Sequence, residues 1–216
     1  MPSSLGLAFN SRLSRFWWVF LVTLGVSCQM EPGAIKAPQE EGVYLFFRGT
    51  RSKEGVVSQA YYLKHEYISH VALGYWQDGD WVLYHVVNSA QKNDLKKTDF
   101  SSFYAPQDLT FAAFGKLRSE IDQVQLQRKI ESDFLAGVAF DLQFNLENES
   151  TRMYCSEFLV HLLESTHPQF FHYAPIRKKL SGWHAKFLKR DSLDYYPADL
   201  LYYDRENVEI VKAIEL

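Results

Sequence analysis

The sequence predicts an α+β fold, in which a small antiparallel sheet or half-barrel packs against a helix that begins at a cysteine. The chain has 216 residues, 47% of them hydrophobic and 16% aromatic, enough for one domain with a sizeable core. Two β-rich runs flank Asp78-Gly79, which is a strong hairpin signal. Apolar residues recur at helical spacing after Cys155, which predicts an amphipathic helix with this thiol at its N-terminus.

The N-terminus has the pattern of a secretory signal. Two arginines precede an uncharged, mostly apolar run that ends at Ser27, and Cys28 follows directly. This order resembles the lipobox of bacterial lipoproteins, which implies cleavage before Cys28 and a lipid on that residue. An uncleaved anchor and a plain secreted protein stay open as alternatives. The expected segments are a signal peptide (1–27), a lipid-anchored tether (28–41) and one domain (42–216).

The charge of the chain excludes some classes of partner. A formal net charge of −3 and a pI near 6.2 give no basic field for nucleic acid, and no overall attraction to an anionic lipid surface. Residues 170–192 are locally basic and aromatic. We interpret them as a solvated face with Trp183 and Phe187 buried beneath it.

The hairpin register can be derived from the turn. A two-residue loop at Asp78-Gly79 places Trp76 opposite Trp81, so that partner numbers add up to 157. His70 and His85 then point to the same face as diagonal neighbours, about 7–8 Å apart between α-carbons. Either histidine alone would more often be a structural residue, but two on one face favour a functional site.

Cys155 is a candidate nucleophile. The helix start favours its thiolate form, and it lacks a disulfide partner if Cys28 is lipidated. A buried structural cysteine is the alternative. The other predicted elements are a strand at 42–48, a helix at 54–65, a loop at 89–108, a strand at 109–114, a helix at about 119–140 and a strand at 207–215. The helix at 119–140 has Ser119 as its candidate cap. Its predicted core face consists of Ile121, Val124, Leu126, Ile130, Phe134, Leu135 and Val138.

Four short motifs together resemble the YiiX-like branch of the NlpC-type papain-like cysteine hydrolases over about residues 42–211. They are Ser69-His70-Val71-Ala72-Leu73, Tyr84-His85, Tyr154-Cys155-Ser156-Glu157-Phe158-Leu159 and Tyr196-Pro197-Ala198-Asp199-Leu200. A histidine before the cysteine is the order of the circularly permuted members, which include lecithin retinol acyltransferase-like proteins. The resemblance implies a permuted papain-like fold.

The resemblance also assigns roles. It implies Cys155 as nucleophile, His70 as base and His85 as the residue that orients His70, where YiiX-like proteins often have glutamate. Tyr154 and Ser69, which adjoin these positions, are expected beside the substrate or the oxyanion. The backbone N–H of Cys155 is a candidate oxyanion donor. No metal and no organic cofactor is implied.

These observations predict a lipid-anchored cysteine hydrolase of the bacterial cell envelope, which cleaves an amide or related acyl bond. The expected partners are a small peptide, amide or acyl substrate, with cell-wall peptide as one candidate, and the membrane through the lipid anchor. Two alternatives stay open. One is an acyltransferase, thioesterase or esterase that acts on lipid acyl groups, and the other is an inactive binding module with the same fold.

Overall fold

The core of the computed structural model is one six-stranded antiparallel sheet. The structure describes residues 35–89, 93–146 and 151–216. The sheet has the strand order β10-β5-β1-β2-β3-β4. Its strands are β1 (Val43–Thr50), β2 (His70–Gln77), β3 (Asp80–Val86), β4 (Leu95–Asp99), β5 (Leu109–Leu117) and β10 (Val208–Glu215). The pairs β6 (Ala139–Phe140) with β7 (Arg152–Met153) and β8 (Ile176–Lys179) with β9 (Ser192–Tyr195) form two small sheets.

Five α-helices accompany these strands in the described residues. They are α1 (Lys53–Gln59), α2 (Phe100–Phe103), α3 (Gln123–Ala136), α4 (Cys155–Thr166) and α5 (Gly182–Leu188), and a short 3-10 helix spans Leu201–Tyr203. None of the helices in the described part of the chain is long and apolar enough to cross a bilayer. Together, the six-stranded sheet and these helices show the predicted α+β class with an antiparallel sheet.

The predicted hairpin and its register are confirmed. Trp76 pairs with Trp81 and Gln77 with Asp80, so the loop has two residues. Asp78 and Gly79 both have positive φ, 53° and 89°, as a type I′ turn requires. This turn matches the twist of the two strands and thereby fixes which side chains of β2 and β3 share a face.

The two faces of the sheet pack against different helices, because alternate residues of a strand point to opposite faces. Val43, Leu45 and Phe47 belong to the main core, to which α3 and α4 contribute. Tyr44 and Phe46 belong to a second, aromatic cluster, which includes both phenylalanines of α2 and Tyr104. Both faces of β1 are therefore buried.

A third cluster connects the β8–α5–β9 unit to the start of α4. Tyr154, Leu188 and Tyr195 are buried in it, and Ala185 is partly buried against it. Trp183 and Phe187, on the other face of α5, are 61% and 47% exposed. The prediction that these two aromatic residues are buried is wrong, since the short helix turns only Ala185 and Leu188 towards the cluster.

Three further predictions need correction. Helix α1 ends at Gln59, well before residue 65, and the predicted loop at 89–108 contains β4 and α2. Asp122 caps α3 by accepting from the N–H groups of Val124 and Gln125. Leu126 and Ile130 provide the buried positions of α3, whereas Val124, Phe134 and Leu135 are exposed.

Residues 35–40 pack against the sheet and do not lie free of it as a tether would. Ile35 and Ala37 contact the aromatic cluster, and the indole Nε1 of Trp81 donates to the carbonyl of Pro38 at 3.2 Å. Lys116 pairs with Glu40 at 2.7 Å. The domain therefore begins before Gly42. The predicted signal peptide and the lipid site at Cys28 lie outside the described residues.

Candidate active site

The two predicted histidines form a hydrogen bond with each other. His70 Nε2 and His85 Nδ1 are 2.7 Å apart, and His85 Nε2 lies 3.2 Å from the hydroxyl oxygen of Thr98 on β4. His85 is 4% exposed, so both of its ring nitrogens find their partners inside the protein. The register of β2 and β3 brings the rings together, and the edge strand β4 adds the threonine.

This arrangement defines the protons if His70 acts as a base. Its Nε2 is engaged with His85, so Nδ1 is the nitrogen left to accept a proton. A free Nδ1 lone pair requires the proton on Nε2, which then donates to Nδ1 of His85. His85 in turn carries its proton on Nε2 and donates to Thr98. The chain of three residues thus holds one tautomer of His70.

Both imidazoles are neutral over the physiological range. Burial lowers the pKa of His70 well below its ordinary value, and repulsion by Arg48, and by His85 whenever that ring is protonated, adds to the effect. Burial, with Arg48 and Lys96, lowers the pKa of His85 to about 3. A neutral His70 can accept a proton, which a base must do.

Cys155 is the first residue of α4, as predicted. Tyr154 is the N-cap, and its backbone N–H donates to Oε2 of the Glu157 carboxyl group at 3.3 Å. The first N–H groups of a helix have no carbonyl partner within it. Burial raises the pKa of the Cys155 thiol, while the N–H groups of Val71 and Ser156 and the charge of Arg48 oppose the increase.

Burial opposes the prediction that Cys155 is partly thiolate near neutral pH. The helix start does favour the thiolate through its N–H groups, but the loss of hydration has the larger effect on the pKa of a residue that is 7% exposed. The resting pair is a neutral thiol and a neutral imidazole. If Cys155 acts as a nucleophile, a proton must move from its sulfur to the imidazole nitrogen during the attack.

The thiol and the histidines approach each other from opposite faces of the sheet. Cys155 belongs to the main core together with Val71, whereas His70 and His85 contact the ring of Phe103 on the other face. For the thiol to reach His70 directly, the hairpin register predicts that the Cys155 helix covers the face that carries both histidines. This prediction is wrong, because Cys155 and α4 belong to the core on the opposite face. His70 is the first residue of β2, and the β2–β3 ladder begins only at Leu73. The groups can meet around this open strand end.

No hydrogen bond joins the Cys155 sulfur to either imidazole in residues 35–89, 93–146 and 151–216. The thiol instead lies where the N–H of Val71, the residue after His70, favours its thiolate. Catalytic hydrogen bonds are often long in unliganded proteins. The structure thus brings Cys155 to the neighbour of His70 and leaves the final contact unmade.

Arg48 is a site residue that the sequence analysis missed. It is the cross-strand partner of His70, its guanidinium lies 4.6 Å from the centre of the Phe103 ring, and its Nη1 donates to the carbonyl of Phe103 at 2.5 Å. Its Nε is buried without a hydrogen-bond partner. The signal was visible as the one charged residue in an otherwise uncharged strand, Val43–Thr50. Its positive charge disfavours imidazolium and favours thiolate.

Tyr154 and Ser69 are both close to the candidate site, but their hydroxyl groups accept hydrogen bonds from backbone N–H groups. The hydroxyl of Tyr154 accepts from the N–H of Tyr196 at 2.7 Å. The hydroxyl of Ser69 accepts from the N–H of Thr50 at 3.3 Å. These bonds fix the entrance to α4 and the entrance to β2, where the candidate nucleophile and base lie.

A carboxylate that lies outside the site organises the approach to β2. Asp199 is fully buried and accepts hydrogen bonds at 2.8 Å from the N–H groups of Leu63, Lys64 and His65. It belongs to the predicted closing motif Tyr196–Leu200. This bonding ties the segment that leads into His70 to a part of the chain that follows α4.

Comparisons with known proteins identify the fold. No family model matches the sequence, and no curated protein matches it significantly. Among solved structures, the crystal structure of metalloprotein yiiX from Escherichia coli O157:H7, DUF1105, is similar, with a TM-score of 0.58 and 15% sequence identity. The similarity covers 83% of this chain and 100% of that one. The chain therefore shares its α+β fold with yiiX, as the YiiX-like resemblance of its motifs predicts.

Proposed function

We propose that this protein is a cysteine hydrolase of the permuted papain-like type, which cleaves an amide or related acyl bond. The observation that carries the proposal is the 2.7 Å hydrogen bond between His70 and His85, beside the strand end that the Cys155 thiol reaches. A nucleophile, a base and an orienting group are what acyl transfer through cysteine requires.

The first step is attack by Cys155 on the substrate carbonyl. The S–H bond breaks as the S–C bond forms, and His70 Nδ1 receives the proton. The backbone N–H of Cys155, in the first turn of α4, is the oxyanion donor that we propose. His85 stabilises the imidazolium by accepting from its Nε2–H. Because sulfur and Nδ1 are not bonded at rest, side-chain rotation on substrate binding completes the pair.

The second step releases the products. The tetrahedral intermediate collapses, His70 returns its proton to the leaving group, and the acyl group remains on Cys155 as a thioester. Water then attacks the thioester while His70 accepts the water proton. Collapse of the second intermediate yields the acid, and the proton on His70 returns to the sulfur.

A metal role does not fit these residues. The structural neighbour is described as a metalloprotein, which raises the question for this chain. Within the described residues, no three His, Cys, Asp or Glu side chains are arranged to hold a metal ion. His70 Nε2 and His85 Nδ1 are at single hydrogen-bond distance, shorter than the roughly 3.3 Å between two nitrogens that each bind zinc at about 2.0–2.1 Å. We derive no step through a metal.

Export and lipidation at Cys28 remain part of the proposal. They depend on the order of basic residues, apolar run and cysteine in the sequence. Membrane fractionation of the intact chain and a Cys28→Ser variant tests this part. Equal membrane binding and equal size of the two forms would contradict lipidation.

An assay with two substrate pools tests the activity and separates the alternatives. The purified protein and its Cys155→Ala variant are incubated with peptidoglycan and with lipid extracts, and the products are identified by mass spectrometry. Wall fragments that depend on Cys155 support the amidase, whereas released or transferred fatty acyl groups support the lipid enzyme. If no product depends on Cys155 and no thiol-directed probe labels it, the protein is a binding module and the proposal fails.

A further inference from the structure

Helix α5 exposes two large aromatic side chains side by side. Trp183 and Phe187 are one helical turn apart, their rings are stacked at 4.8 Å with an angle of 14°, and both are exposed. Packing against the domain does not explain them, because Ala185 and Leu188 fill that role on the opposite face. The stacked pair therefore forms an outward apolar ridge.

The segment that carries this ridge is strongly basic in an acidic protein. Residues 176–190 contain six lysines and arginines and no aspartate or glutamate, although the chain has a net charge of −3. Three of the six are engaged with the domain: Arg177 with Asp194, Lys178 with the carbonyl of Ala60, and Arg190 with the carbonyl of Phe144.

The other three basic residues of this segment are Lys179, Lys186 and Lys189. Their side chains are exposed and make no hydrogen bond, ion pair or ring contact within the described residues. Lys186 lies on the helix between Trp183 and Phe187. Free cations thus accompany the aromatic ridge.

We propose that α5 and the adjoining strand β8 dock on the surface of a lipid bilayer that contains anionic lipids. Tryptophan and phenylalanine enter the headgroup region with their apolar rings, and lysines bind lipid phosphates beside them. The overall negative charge gives no such attraction, so the local segment has to provide it. This proposal does not rest on the proposed catalysis.

Docking by α5 would bring the candidate site close to the membrane surface. The buried face of the helix packs against Tyr154, which precedes Cys155 in the chain. A docked α5 therefore holds the start of α4 about one helix diameter, roughly 10 Å, from the lipid headgroups. A substrate embedded in or attached to the bilayer would be presented there.

Hydrogen exchange on the full chain tests the proposal. The protein is reconstituted into vesicles of phosphatidylcholine alone or of an equal mixture of phosphatidylcholine and phosphatidylglycerol, and exchange is followed in peptides that cover 181–190. We expect slower exchange in the mixture only, with recovery at about 1 M salt, where the screening length falls to about 3 Å. Quenching by brominated lipid, taken as the difference between the protein and its Trp183→Phe variant, should show the same lipid dependence.

Matched variants identify the cause. Replacement of Lys179, Lys186 and Lys189 by glutamine should weaken docking by about fivefold per lysine, roughly a hundredfold in total. The control replaces three exposed lysines elsewhere, Lys53, Lys97 and Lys212, and should leave the protection unchanged.

Three outcomes would overturn the proposal: no lipid-dependent protection of 181–190, protection that the control triple variant loses equally, or protection that rises with protein concentration without lipid. The last would assign the ridge to a second copy of the chain. A Cys155→Ala variant should dock normally, so failure of catalysis and failure of docking are distinguishable.

Discussion

Replacement of His85 by alanine or glutamine separates a positioning role from a merely structural one. Alanine removes the imidazole that both neighbours share, leaving the Nε2–H of His70 without its acceptor at 2.7 Å and Thr98 without its partner at 3.2 Å. Glutamine keeps both interactions, because its amide oxygen can accept from His70 and its amide nitrogen can donate to Thr98.

The expected sizes follow from the hydrogen bonds. A buried donor left unsatisfied costs about 1–3 kcal/mol, and a barrier higher by this amount slows acylation about 5- to 150-fold. Loss of Cys155 or His70 removes the nucleophile or the base and should abolish turnover. For His85→Gln we expect a decrease of less than about tenfold, since less than about 1.4 kcal/mol is lost.

The assay follows acylation of Cys155 by p-nitrophenyl acetate. The burst of nitrophenolate gives the rate, and intact mass shows one acetyl group on the protein. His161→Ala is the control, because this histidine is exposed on the same helix as Cys155. Thermal unfolding of each variant identifies losses that come from misfolding. A rate for His85→Ala within twofold of the parent, with folding intact, would refute the role of His85, and the orienting position would have to be reassigned.

The remaining predictions concern charge. Burial raises the Cys155 pKa, so iodoacetamide alkylation should still be rising above about pH 8.5, the ordinary thiol value, and a plateau at neutral pH would contradict this. Arg48→Met should move that alkylation curve to higher pH, because the charge of Arg48 favours the thiolate, and Arg48→Lys should restore most of the shift. An unchanged curve for Arg48→Met would exclude the effect. Burial raises the pKa of Glu157 to about 8, so the folded protein holds this side chain in its protonated form at neutral pH. The stability that it contributes to the fold is complete below its unfolded pKa of 4.5 and is lost as the pH rises towards 8. Glu157→Gln should therefore raise the unfolding temperature at pH 7 by the equivalent of about 1–3 kcal/mol, and a lower one would contradict the buried neutral acid.

The sequence predicts the parts of the site that local rules determine. The Asp78-Gly79 turn and the alternation of β2 and β3 fix the register, and with it the contact between His70 and His85. The polar run before Cys155 and the apolar spacing after it fix the start of α4. Both predictions depend on residues close together in the chain.

The face on which α4 packs could not be predicted, because both faces of the central strand are apolar. Tyr44 and Phe46 are as buried as Leu45 and Phe47, so no polar side marks the solvent. Strand β4 was missed for the opposite reason. Its residues, Leu95–Asp99, are largely polar, as suits an edge strand, and it gives no apolar alternation.

The exposure of single residues could not be predicted from the sequence either. Trp183 and Phe187 are large aromatic residues of the kind usually found in a core. Only the packing of α5 shows that other side chains already form its buried face. Arg48 gave a signal, one charge inside an apolar strand, but a lone charge does not identify its partners. Its position opposite His70 depends on the pairing of β1 with β2, which lie apart in the chain.

The bonds of Asp199 set an order in which the candidate site can be completed during synthesis. Leu63, Lys64 and His65 emerge from the ribosome 134 or more residues before the carboxylate that satisfies their N–H groups. Until then the segment before β2 lacks its anchor, even though His70, His85 and Cys155 have all been made. A nascent or prematurely terminated chain thus carries every candidate catalytic residue without the support that positions β2. The candidate nucleophile and the candidate base therefore gain this support only after Asp199 has been made. Such a delay suits a protein whose proposed destination lies outside the compartment where it is made.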